Sequence, residues 1–209
     1  PIQEIILFGT GFIRESFCFC ERCREAFAPR VGQEPNRLSY EFITENPDVL
    51  RAWHDWRVET VSHGLAQLAA AARETDEMTE RPESLQLTVE IPVDPQLDLT
   101  EGARGHHGLD PQRIFDVTKS VLLNLYPWTP VLPRKGTPEY DKLLEALYFV
   151  KDYKRRGGSV TLYRWGMSAS EKVDELMAIA KDAEIDRIAV SFRFPEDYAE
   201  RRESALGGV

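Results

Sequence analysis

The chain has 209 residues, 42% hydrophobic and 29% charged, the composition of a globular protein with enough apolar mass for one sizeable core. A formal net charge of -9 with no basic run argues against nucleic acid or an anionic membrane as partner. No apolar stretch approaches the roughly 20 residues that span a bilayer, and the opening PIQEIILFGTG lacks the basic start and cleavage site of a signal peptide.

In chain order, EIILFG is the first strand candidate, and Ile5 to Phe8 read as buried. The chain opens on Pro1 rather than Met, a few residues before that strand. The reading therefore expects a piece of something longer, or a processed chain. Next comes SFCFCERCREAF, which holds every cysteine in the chain: Cys18, Cys20 and Cys23. A helix is expected from near Phe17. An odd, clustered cysteine count argues against a secreted disulfide framework and for a reducing, cytoplasmic setting. A long helix follows, with Asn46 as its cap and Pro47 at its first position, running to about Glu74. That is roughly 40 Å at 1.5 Å per residue. Val49, Trp53, Trp56, Val61, Leu65, Leu68 and Ala72 lie near helical spacing on one face.

The pattern then repeats. LQLTVEI is a strand, and Asp110 and Pro111 open the short helix PQRIFDVTKS. VLLNLYPW is a strand, and TPEYDKLLEALYFVKDYKRRGG is one helix ended by Gly157 and Gly158. SVTLYRW is a strand, SASEKVDELMAIAKDA is a helix opened by Ser168 or Ser170, and RIAVSFRF is the last strand. Helices between successive strands imply parallel pairing and an α/β fold. No low-complexity linker interrupts the chain, so residues 1–209 read as one domain.

Strand patterning narrows the fold. In LQLTVEI, Leu85, Leu87, Val89 and Ile91 take one face, and Gln86, Thr88 and Glu90 the other. Asn124, Tyr126 and Trp128 share a face in the next strand; Thr161, Tyr163 and Trp165 do so in the following one, and Ala189, Ser191 and Arg193 in the last. Apolar residues toward helices and mixed polar residues inward is the behaviour of a (β/α)8 TIM-type barrel. Half-exposed strands of an ordinary mixed sheet are the plainer alternative. A whole barrel takes roughly 250 residues. Five strands therefore count as about the fourth to the eighth, the C-terminal part of an incomplete barrel. The remaining strands would come from an upstream segment or a partner chain, and a homo-oligomer is compatible with this.

Cys-x-Cys-x-x-Cys shortly after a strand, followed by REAF, resembles the zinc site of the microbial β-galactosidases built on a (β/α)8 barrel. The likeness extends weakly through the Phe27 region, the Trp-bearing helix and GLDPQRIFDVTKSVLLNLYPW, as in a remote, glycosidase-like relative. In that family the motif follows the fourth strand and a further cysteine ligand lies earlier. The resemblance therefore implies a structural zinc on Cys18, Cys20 and Cys23, with its fourth ligand upstream. Thiolates are soft ligands suited to zinc, and Arg22 and Arg24 would offset their charge. Three reduced cysteines, or a redox pair, are the alternative. The chain also departs from the family. The acid/base Glu would fall near Gly9 and Thr10, and the nucleophile within YRWG, where no carboxylate stands. Retaining glycosidases need two carboxyl groups roughly 5 Å apart.

Barrel chemistry sits at the C-terminal strand ends. The inward residues there are Glu90, Tyr126, Trp128, Tyr163, Trp165 and Arg193, with Arg164 beside them. Aromatic rings with a few charged groups suit a sugar or another small polar ligand; packing of the barrel mouth is the alternative for the rings. Glu90 is the candidate catalytic carboxylate, because an inward carboxylate is costly unless it is used or paired. Pairing with Arg193 or Arg164 is its other reading. TEGARGHHGLD reads as a surface loop, with His106 and His107 as ordinary loop residues ahead of general bases. The function expected is a glycoside hydrolase-like barrel acting on or binding carbohydrate, with hydrolysis itself left open. Its rival is a non-catalytic carbohydrate-binding or assembly component whose catalytic carboxylates are lost.

Overall fold

The computed structural model describes residues 4–9, 11, 18–79, 85–93, 103–125, 131–167 and 172–192. Five strands alternate with helices. They are β1 (Glu4–Leu7), β2 (Gln86–Pro92), β3 (Ser120–Asn124), β4 (Ser159–Met167) and β5 (Arg187–Phe192). The helices are α1 (Glu21–Val31), α2 (Tyr40–Glu45), α3 (Pro47–Thr79), α4 (Pro111–Val117), α5 (Pro138–Ala146), α6 (Phe149–Arg155) and α7 (Val173–Asp182). Among the described residues no helix is long and apolar enough to cross a membrane.

The sheet order is β1-β2-β3-β4-β5, strictly sequential. The pairs β2/β3, β3/β4 and β4/β5 are parallel. Parallel crossovers are right-handed, so the like-handed steps from β3 to β4 to β5 put α5, α6 and α7 on one face of the second unit. A doubly wound sheet reverses its order at a switch point and covers both faces; this order does not reverse. The fold is α/β, with the strand–helix succession of part of a (β/α)8 barrel.

The chain divides into two compact units: Pro1–Leu87 with Thr100–Thr118, and Thr88–Leu99 with Lys119–Val209. In the first, α1, α2 and α3 enclose an aromatic core. Phe27, Leu38, Ile43 and Trp53 are fully buried there. Ser39 caps α2 by accepting from the Phe42 amide. The helix expected from Pro47 is present over 33 residues. Its buried face matches the expected one at Trp53, Trp56 and Leu65, but Leu68 is exposed and Ala69 is buried in its stead.

In the second unit, the helix expected as one piece over residues 138–156 is two. At Leu147 and Tyr148 the bonding tightens to i→i+3, with Tyr148 N donating to Glu145 O and Val150 N to Leu147 O. The break turns Tyr148 outward and lets Leu143, Leu147, Val150 and Tyr153 all be buried. Gly157 ends α6 at φ +83°, and a Cβ on Gly158 would meet the Tyr153 ring at 2.1 Å. Ser159, Val160, Thr161, Leu162 and Tyr163 alternate between half-buried and buried along β4.

Two local expectations are corrected. Ile5 and Ile6 are each 39% exposed and Phe8 53%, not buried, because β1 is the end strand of the sheet order. The first helix begins at Glu21 and not near Phe17; residues 18–20 are non-helical.

Candidate functional site

In the first unit the three thiols converge. Cys20 is the residue before α1, with extended backbone at φ -68° and ψ 158°. Cys23 therefore lies in the first turn of the helix, and Cys18 on the approach to it. The three Sγ atoms lie within 4.8 Å of one another. Among the described residues no other group of three or more His, Cys, Asp or Glu side chains gathers in this way. The aromatic core holds the stretch in place. Phe19 stacks on Trp53, and Phe27 meets the same indole edge-on. Cys23 packs against this core.

The thiols differ electrostatically. Cys20 is exposed and its pKa is held below the usual thiol value, first by hydrogen bonding with the Cys18 thiol and then by the Cys23 amide. Its sulfur makes no cap hydrogen bond of full geometry, so the amide contribution is that of a nearby dipole. Cys23 is pushed up to about 12, chiefly by burial and then by the Cys20 and Cys18 thiols. Three thiols this close disfavour more than one thiolate, and a soft divalent cation relieves that by replacing their protons. Zinc–sulfur bonds of about 2.3 Å in tetrahedral geometry place sulfurs roughly 3.8 Å apart. Separations of no more than 4.8 Å exceed that spacing by at most about 1 Å, so the three cysteines can hold a metal ion.

In the second unit one strand face is polar. Thr88 Oγ1 donates to Ser120 Oγ (2.8 Å), and Asn124 Nδ2 donates to Glu90 Oε1. Glu90 lies opposite Leu122, and Asn124 is two residues further along β3. The carboxylate thus leans toward the C-terminal strand end, where the bond leaves it 8% exposed. On β4 and β5, Tyr163 Oη donates to Ser191 Oγ at 3.1 Å, and the Gly166 amide donates to the same oxygen. Gly166 is at φ +65°. It belongs to a bulge: Arg164 pairs with Val190 and Met167 with Phe192, so β4 takes three steps to two on β5. The bulge leaves Trp165 46% exposed.

Glu90, Tyr163 and Trp165 therefore stand on, or at the end of, the strands that the alternation assigned to them. Arg164 alternates with Tyr163 and is buried on the side of Val160 and Leu162. Tyr126, Trp128 and Arg193 lie outside the described residues. The 101–110 segment is not a simple surface loop. Ala103–His107 is a π-helical turn, and His107 and Asp110 are buried. Arg57, fully buried on α3, donates to the carbonyls of Gly105 (2.8 Å) and His106 (2.9 Å). Arg104 bridges Asp55 and Asp110. Sequence reading missed Arg57, although its place one turn after Trp53 on the buried face was a signal. It also left Asn124 and Ser191 as face residues without seeing that each meets a partner.

No family model matches this chain, and no curated protein does. Among solved structures, it is similar to the PgaB (BpsB) glycoside hydrolase domain from Bordetella bronchiseptica, with a TM-score of 0.65 at 9% sequence identity. The match covers 98% of this chain and 55% of that one, so the chain spans about half of that structure's length. At this identity the likeness is one of fold.

Proposed function

We propose that this chain is part of a glycosidase-like barrel that binds carbohydrate at the polar ends of β2, β3 and β4, and that Cys18, Cys20 and Cys23 hold a structural zinc. The observation that carries the ligand site is Glu90: a buried carboxylate, oriented by Asn124, on a strand face of hydroxyl and amide groups. Such a group accepts from two sugar hydroxyls or serves as a catalytic carboxylate. Tyr163 and Trp165, together with Tyr126, Trp128 and Arg193, supply the rings and the charge; Arg164 supports β4 from its buried side. The fold likeness to a glycoside hydrolase domain favours a sugar over other small polar ligands. The cysteine cluster suits a reducing compartment and a closed, non-catalytic metal.

One observation favours the non-catalytic form of this reading. Strands β2 to β5 carry a single carboxylate, Glu90, and hydrolysis with retention takes two. Binding is therefore the first property to test. The protein is screened against neutral, acidic and amino oligosaccharides, beside Glu90→Gln. A nearly isosteric loss of charge that keeps the thermal midpoint and weakens binding tenfold or more supports the site. An unchanged binding profile refutes it. Release of reducing ends by the wild type alone would establish hydrolysis.

A further inference from the structure

Two buried donors on residues in contact with, or next to, the cysteine stretch have no partner. Trp53 is 0% exposed, and its indole Nε1 is buried without a hydrogen-bond partner. Arg24 is half-buried, and its Nε is likewise buried without one. An orphaned N–H of this kind costs about 1–3 kcal/mol. Native structures keep few of them, and each calls for an explanation, an ion or a water among them.

Both donors belong to residues that touch or adjoin the cysteine stretch, though neither meets a sulfur in hydrogen-bond geometry in this structure. Trp53 lies in stacking contact with Phe19, the residue between Cys18 and Cys20, with ring centroids 4.9 Å apart. Arg24 directly follows Cys23, and its amide donates to the Cys20 carbonyl at 3.1 Å. While the cysteines are thiols, their sulfurs are weak acceptors and carry little charge. Three thiolates around a divalent ion carry a net charge of minus one, and a fourth thiolate makes it minus two. Metal-bound thiolate sulfurs are then the acceptors that these donors lack. Groups that hydrogen-bond to ligands in this way commonly change metal affinity 10–100-fold.

We propose that Trp53 and Arg24 are positioning residues of the cysteine site: the Trp53 indole N–H and the Arg24 guanidinium donate to thiolate sulfur once a soft divalent cation is bound. This rests on the metal reading and extends it. The site takes its ion as an anionic thiolate complex, compensated from the aromatic core on one side and from the helix cation on the other.

The test loads the whole protein, labelled with 15N at tryptophan, with 113Cd in place of zinc. The Trp53 indole resonance, assigned by its absence from Trp53→Phe, should move downfield on loading and show coupling to the metal. Arg24→Met should weaken cadmium binding about tenfold with the cysteines intact, and Arg24→Lys should recover part of that. Because Trp53→Phe disturbs the core, it serves for assignment alone, with through-space contacts to the Phe19 and Phe27 rings as an independent assignment, and the wild-type shift and the Arg24 variants decide the matter. Cadmium binding with an unmoved Trp53 indole and an Arg24→Met affinity within twofold of wild type overturns the inference and leaves the metal site standing. No cadmium or zinc binding at all overturns both.

Discussion

Phe19 lies flat on Trp53, with ring planes 15° apart and centroids at 4.9 Å. That contact ties the approach segment carrying Cys18 and Cys20 to the long helix α3. Cys23 is tied to the same core from α1. Packing thus helps to bring the thiols together. Removing the ring should separate the two ends of the cluster: Phe19→Ala is expected to cost about 2 kcal/mol of stability and to weaken metal binding with all three cysteines present. Chemical unfolding and a metal titration of the variant check both effects. Unchanged metal affinity would show that the ring does not organise the thiols.

Metal content is the direct measurement. Protein that includes the fourth ligand and is prepared without chelator should carry about one zinc per chain, and Cys20→Ser should lose it. Because a structural zinc contributes folding energy, chelation should lower the thermal midpoint of the wild type and leave Cys20→Ser unmoved. Elemental analysis showing no zinc in the wild type removes the site.

The bond from Asn124 to Glu90 makes a pH-dependent prediction. Asn124→Asp places a second carboxylate where a donor stood. Repulsion raises the folded pKa of the pair above the unfolded values of about 4. The destabilisation is therefore present above the raised folded pKa and relieved as pH falls through it toward the unfolded pKa. Relative to wild type, the variant should be least stable near pH 7 and should recover toward pH 4. A difference that is flat with pH would mean that the two side chains do not meet.

Alkaline stability should depend on Tyr140. Its hydroxyl donates to Asp182 Oδ2 at 2.9 Å, and Lys135 pairs with the same oxygen at 2.6 Å. Burial, then the hydrogen bond to Asp182, pushes the Tyr140 pKa up to about 12. A raised folded pKa means that the contribution is whole below about 10, the unfolded value, and is lost as pH climbs toward 12. Tyr140→Phe should be somewhat less stable than wild type at pH 8, and the gap should close above pH 10. Thermal midpoints across that range check it.

The two end strands of the sheet order predict association. Ile5, Ile6 and Phe8 are exposed on or beside β1, and Ile188 on β5. Exposed apolar residues on an open strand edge invite pairing with further chain. Residues 1–209 expressed alone should aggregate or associate, and Ile6→Lys with Ile188→Lys should raise the monomer fraction. Sedimentation of a monodisperse wild-type monomer would show that these edges are satisfied within the 209 residues.

The strand starts were legible to within one residue, although β3 ends at Asn124 short of the expected VLLNLYPW, because alternation has a period of two, and a one-residue slip would have moved every side chain to the wrong face. Glu90, Asn124 and Tyr163 were placed on the polar face for that reason. Local patterning was weaker where several weak preferences compete. The 138–156 helix broke at Leu147 because burying apolar residues on both sides of the break outweighed one continuous hydrogen-bond ladder. Arg57 was not singled out, since an arginine in a helix reads as solvated until the carbonyls it serves, 48 and 49 residues away, come into view.

Composition, strand period and cysteine spacing were local properties, so the α/β class, the parallel succession and the three neighbouring thiols could be read from residues a few positions apart. The sheet order without reversal, the bulge at Gly166 and the meeting of Glu90 with Asn124 depend on contacts between segments tens of residues apart. So do the seat of Phe19 on Trp53 and the burial of the Trp53 indole nitrogen. Those contacts exist only once the backbone has closed long loops, and their energy comes from packing and desolvation that no short window of residues contains.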